Sequence, residues 1–135
     1  MSSEAPLSLP VKLQLALRIG IRFAVIQLSL RRQPLPDLVA RLARPARRAP
    51  RRHPPARLSR AVDRALRVGG RQPTCLVNSL VLFRLLREQG DEPQLVVGLP
   101  EDGRNRIAHA WVELDGRDVG PAPGRGAHEP LARFA

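Results

Sequence analysis

The chain has one cysteine, one tryptophan, three phenylalanines and no tyrosine. A lone cysteine cannot close an internal disulfide and suits a reducing compartment, so a cytoplasmic protein is expected. With aromatics at 3%, the core must come from Leu, Val, Ile and Ala. One cysteine with scattered histidines offers no metal set, and no glycine-rich phosphate loop is present. Neither a metal nor another cofactor is expected. No secretory signal peptide is visible. The apolar stretch Leu7–Leu30 is interrupted by Lys12, Arg18 and Arg22, so no transmembrane segment is expected. A helix packed on its own domain is the favoured reading, with a surface-lying membrane helix ahead of Arg31-Arg32 as the alternative.

Acids are scarce in the front half. Residues 1–71 hold 16 Lys+Arg against 3 acids, whereas residues 72–135 hold 7 Arg against 9 acids. All but one of the 23 cations are Arg, a bias that pervades the chain and fits a GC-rich genome as well as phosphate or carboxylate recognition. Arg41–Arg60 carries eight Arg and no acid. Non-specific attraction to nucleic acid follows. No aromatics are interleaved and no nucleic-acid motif is present, so no specific nucleic-acid partner is expected.

At 135 residues the chain suits one domain. Pro10 and Ser8 open a helix that runs to Leu30, although Leu13 to Ile21 also alternates like a strand; length favours the helix. Pro34 and Pro36 end it. A short helix over about 36–43 has Asp37 in its first turn. The Pro/Arg run at 44–55 reads as an exposed loop. Leu58–Val68 reads as a third helix, stopped by Gly69-Gly70.

From Gln72 the pattern changes. Thr74 is a good N-cap and Gly90 a good stop, with a broad apolar face between them. This is a buried central helix, with Arg84, Arg87 and Glu88 looking outward. Gln94–Leu99 reads as a buried strand. Arg106–Leu114 and Arg117–Ala122 form a hairpin about Asp115-Gly116. The tail, 123–135, is Gly/Pro-rich and then weakly apolar at Leu131 and Phe134. The fold class is α+β: a helical part over 1–71, then a core over 72–135, together one domain.

Cys75 falls in the first turn of the central helix, where the helix dipole favours negative charge. His109 follows on the strand. A cysteine nucleophile with an imidazole base is the chemistry this layout suits; a small core cysteine and a structural histidine are the plainer reading. The Cys75 backbone N–H, with Gln72 nearby in sequence, would stabilise an oxyanion. Alternation puts His109, Trp111 and Glu113 on one strand face, as the wall of a cleft with Trp111 in support or filling volume. In the hairpin register Val112 opposes Val119 and Ala110 opposes Pro121. The positions opposite His109, 120–122, offer no side-chain acceptor. A backbone carbonyl or water ranks first as the group orienting the imidazole, then Glu129, then Glu113.

The segments Cys75-Leu-x-x-Ser79, Leu85-Leu-Arg-x-x-Gly90, Leu95-Val-x-Gly98 and Ala108-His-Ala-Trp-Val-Glu113 together resemble the lasso-peptide leader peptidases. These are transglutaminase-like, papain-like cysteine proteases. The resemblance covers residues 72–135 well and the helical front without a specific motif. It implies a transglutaminase-like core, with a Cys-bearing helix packed on a small antiparallel sheet. It implies a bacterial enzyme that removes the leader from a ribosomally made precursor peptide, with Cys75 as nucleophile and His109 as general base and acid. A separate leader-recognition protein and an ATP-dependent cyclase are the implied partners. The family's third residue, an aspartate, aligns with Gly120-Pro121. The chain is therefore a weakened dyad enzyme, an enzyme with a relocated acid, or a non-catalytic peptide-binding scaffold.

Overall fold

Among the described residues, proline opens three of the four helices. α1 (Leu9–Leu30), α2 (Leu35–Leu42) and α3 (Pro55–Leu66) each carry Pro in the first turn, where the missing N–H costs no helical hydrogen bond. These assignments come from a computed structural model that describes residues 8–44, 52–67, 74–100, 108–121 and 128–135. Residues 1–7, 45–51, 68–73, 101–107 and 122–127, which include Gly69-Gly70 and most of the Pro/Arg run, lie outside the described residues. α1 is a helix, as its length predicts. Its Ser8 N-cap contributes its backbone carbonyl to Lys12 and no side-chain cap. α3 starts three residues earlier than the sequence suggests, because Pro55 is accepted at its first turn.

α4 (Cys75–Glu88) is the centre of the molecule. Thr74 caps it by accepting the Val77 N–H at 3.3 Å. Gly90, with φ 97°, takes the left-handed conformation that glycine adopts freely. Residues 77–83 of α4 are all buried, because α1, α2, α3 and the sheet all pack against the helix. One apolar core joins Leu15, Ile19, Leu58, Leu80, Phe83 and Val112, among others, from both halves of the chain.

The end of α4 departs from its expected outward face. Glu88 is 5% exposed. It receives Arg18 Nη2 at 3.3 Å and both Arg22 Nε and Nη2, with Arg84 Nε at 3.7 Å. Arg87 donates to the carbonyls of Ala43 and Asp91. Burial lowers the Arg84 pKa, Glu88 opposes that shift, and Arg22 and Arg87 add to it. Charges here follow the arginines of α1, which no local pattern in α4 reveals.

The Pro/Arg run is also anchored where it is described. His53 is buried. Its N–H donates to Gln89 Oε1 at 3.1 Å and its carbonyl accepts Gln89 Nε2 at 2.8 Å. Arg52 reaches Asp91 at 2.6 Å. This end of the run is held against the C-terminus of α4, contrary to its reading as a wholly exposed loop.

The sheet has four antiparallel strands: β1 (Gln94–Pro100), β2 (His109–Leu114), β3 (Arg117–Gly120) and β4 (His128–Phe134), in the order β3-β2-β1-β4. The end of the tail, His128–Phe134, is therefore a strand, which the sequence pattern alone does not announce. Its side chains give little signal, since Leu131 is 61% exposed; pairing with the edge of β1 makes the strand. Asp115 and Gly116 have φ 53° and 78°, as a tight hairpin turn requires. Glu113 opposes Asp118, as expected. A register shift between Val112 and Glu113 then sets Val112 against Gly120, where Val119 was expected. A bulge of this kind leaves no trace in residue alternation.

Candidate active site

Cys75 is the first residue of α4, half-buried, with a free thiol. Its Sγ accepts the Ala110 N–H at 3.4 Å. That N–H belongs to the peptide joining His109 to Ala110, so the sulfur sits on the backbone directly after the histidine. Ser79, one turn along α4 and fully buried, reinforces the contact. Its hydroxyl faces two carbonyls, Cys75 at 2.6 Å and Ala110 at 3.0 Å. One buried hydroxyl thus ties the helix turn that carries the cysteine to the strand that carries the histidine. Sequence reasoning noted Ser79 without giving it a role. Its signal was a hydroxyl four positions after Cys75, hence on the same helical face.

His109 opens β2 and lies opposite Gly98 of β1. It is half-buried. Its Nδ1 atom is buried and makes no hydrogen bond, while the residue has other interactions. Ala110 and Val112 point into the core beneath α4. Alternation therefore sets Trp111 and Glu113 on the opposite face, as expected. That face is not an open wall, however. Trp111 is 0% exposed and Glu113 2%. The indole N–H of Trp111 donates to Glu113 Oε2 at 2.9 Å, and Arg133 Nη1 reaches Glu113 Oε1 at 2.8 Å. Both carboxylate oxygens thus serve a clamp across β2, β1 and β4. The indole N–H serves the same clamp.

Glu129 lies on β4 opposite Leu99, with β1 between its strand and β2. Its backbone is therefore about two strand spacings, roughly 10 Å, from that of β2. Gln72 lies outside the described residues. Asp118 accepts the Gly120 N–H at 2.8 Å.

The backbone at Gly120 opposes the acid that the resemblance would place there. Its φ is +119°, and a Cβ built there would lie 2.1 Å from Ser59 Oγ on α3. A carboxylate at this position meets both obstacles. Gly120→Ala is expected to lower stability by about 1–3 kcal/mol, from the backbone conformation alone. Added Ser59→Ala should recover the steric share and leave the conformational share. Denaturant unfolding of both variants measures this, and an unchanged midpoint for Gly120→Ala refutes the close approach.

A cysteine at the head of a buried helix, pinned to the strand that bears a histidine in an antiparallel sheet, is the arrangement that this α+β fold presents. The chain matches the transglutaminase-like superfamily over residues 17–133. It belongs to that superfamily, which includes cysteine peptidases. The match includes most of the helical front, for which the sequence offers no specific motif. No characterised protein and no solved structure matches the chain.

Proposed function

We propose that the chain is a cysteine peptidase that removes the leader from a ribosomally made precursor peptide of the lasso type. The observation that carries this reading is the Cys75 sulfur on the amide following His109, held there by Ser79. In the proposed reaction Cys75 attacks the scissile carbonyl and His109 protonates the leaving amine. Water then hydrolyses the acyl-enzyme, with His109 taking its proton. The N–H of Cys75, in the first turn of α4, has no partner within its own helix and is available to the oxyanion. The assignment to lasso-type leaders rests on the resemblance in sequence.

The implied partners, a leader-recognition protein and an ATP-dependent cyclase, belong to the same proposal, as does a cytoplasmic location. The test uses a synthetic precursor, the purified chain and the recognition protein, with products read by mass spectrometry. Two fragments meeting at the leader–core boundary are expected, and prior treatment with iodoacetamide should suppress them.

A second reading is a non-catalytic peptide-binding homologue. Gly120 favours it, since it has no carboxylate, a side chain there is opposed by the positive φ and by Ser59, and the orienting acid of triad hydrolases is worth orders of magnitude in rate. Precursor binding with no fragment after long incubation would select this reading over the first.

A further inference from the structure

Six large apolar side chains of α1 project into solvent. Leu9, Leu13, Leu17, Ile21, Val25 and Leu28 are 43% to 68% exposed. They recur at i, i+4 and finally i+3, so they form one stripe down the helix. Leu15, Ile19 and Ile26 bury the opposite side in the core. A surface helix normally presents polar residues outward; α1 is apolar on both sides. The exposed stripe is continuous because no charged residue interrupts it. Between Lys12 and Arg31 no exposed position of α1 carries a charge, and the helix contains no acid. Arg18 and Arg22 lie at its edge and turn to Glu88. Lys12 near one end and Arg31-Arg32 just past the other are exposed.

Charge decides among the surfaces that could cover such a stripe. A second copy brings the end cations of both helices together, whether paired parallel or antiparallel, on chains of net charge +11. An anionic bilayer supplies apolar volume along the whole stripe and negative headgroups for the cations at its ends. α1 has the length and mean hydropathy, 1.4, of a membrane-crossing helix. Crossing would withdraw Leu15, Ile19 and Ile26 from the core and strip Arg18 and Arg22 from Glu88. Lying in the interface keeps all of these contacts.

We propose that α1 is a peripheral membrane-binding helix. Its outer stripe enters the headgroup–acyl boundary of an anionic phospholipid bilayer, and Lys12, Arg31 and Arg32 engage the headgroups. This inference stands apart from catalysis and holds whether or not Cys75 is active.

The test is co-sedimentation of the full chain with vesicles of phosphatidylcholine and with equimolar phosphatidylcholine and phosphatidylglycerol. The wild type should bind the anionic vesicles and bind the neutral ones far less. A triple variant, Leu13→Gln, Leu17→Gln and Ile21→Gln, changes only exposed positions and should keep its helical spectrum and melting temperature. Its affinity should fall by at least about 100-fold. Arg31→Gln with Arg32→Gln should weaken binding by roughly tenfold or more.

Equal binding by the wild type and the triple variant overturns the proposal, since attraction by the Arg-rich front would then account for all of it. Absence of binding to anionic vesicles also overturns it. So does a wild-type dimer in light scattering that the triple variant dissolves while vesicle binding stays unchanged, which assigns the stripe to a second copy.

Discussion

Cys75→Ala is expected to leave a cognate precursor uncut, with the cleavage rate reduced by at least about 10⁴-fold, as when the nucleophile of a triad hydrolase is removed. Cys75→Ser keeps the shape and a hydroxyl but loses thiolate nucleophilicity, and should be nearly as inactive. Neither change should unfold the protein. The residue is half-buried at the edge of the core, and Ser79, whose hydroxyl ties α4 to β2 through the Ala110 carbonyl, keeps that bond in both variants. Parallel measurement of melting temperature and precursor cleavage separates the two effects. A cleavage rate in Cys75→Ala equal to the wild type would remove Cys75 as nucleophile, and the peptidase reading with it.

Glu88→Ala is the substitution with the largest expected effect on stability. The carboxylate is 5% exposed and faces three guanidinium groups. Removing it leaves Arg18, Arg22 and Arg84 clustered with no counter-charge. Breaking a fully buried ion pair costs about 3–5 kcal/mol. The arginine side chains here are 17% to 34% exposed, so solvent screening reduces the expected loss to about 2–3 kcal/mol. That corresponds to a drop of roughly 10 °C in Tm for a domain of this size. The loss should concentrate in α1, because Arg18 and Arg22 are its polar ties to α4. Hydrogen exchange should therefore accelerate across Leu9–Leu30 before it does in α4. A shift of no more than a degree or two, with α1 exchange unchanged, would show that water and not Glu88 balances these cations.

The elements most legible in the sequence are those whose signals are local. Thr74 before an apolar run and Gly90 after it mark α4 because a cap and a left-handed stop are chemical properties of those two residues. Asp115-Gly116 marks the β2–β3 turn for the same reason. The prolines at the heads of α1 and α2 work likewise. β4 was not legible because its side chains over 130–134 are exposed or half-buried and the strand is made by its neighbour's backbone. Glu88 and His53 were misread because their burial depends on Arg18, Arg22 and Gln89, each distant in sequence. The hairpin was right at its turn and wrong beyond the bulge, since one extra residue shifts every later partner.

The candidate site divides along the same line. Cys75 and His109 stood out by residue type and by their placement on a helix start and a strand. The role of Glu113 did not, because its oxygens are claimed by Trp111 and Arg133 across the sheet. Gly120 was visible as a missing acid, but Ser59 on α3 supplies the steric reason.

The order of helices and hairpin, the capped cysteine turn and the apolar character of α1 were determined by the residues themselves, through dihedral preference, capping and hydrophobic spacing. Tertiary structure alone decided three things. It brought the Cys75 sulfur to the amide after His109, it buried Glu88 among arginines, and it left the outer side of α1 in solvent. Each of these depends on which distant surfaces meet, and local propensity carries no information about that.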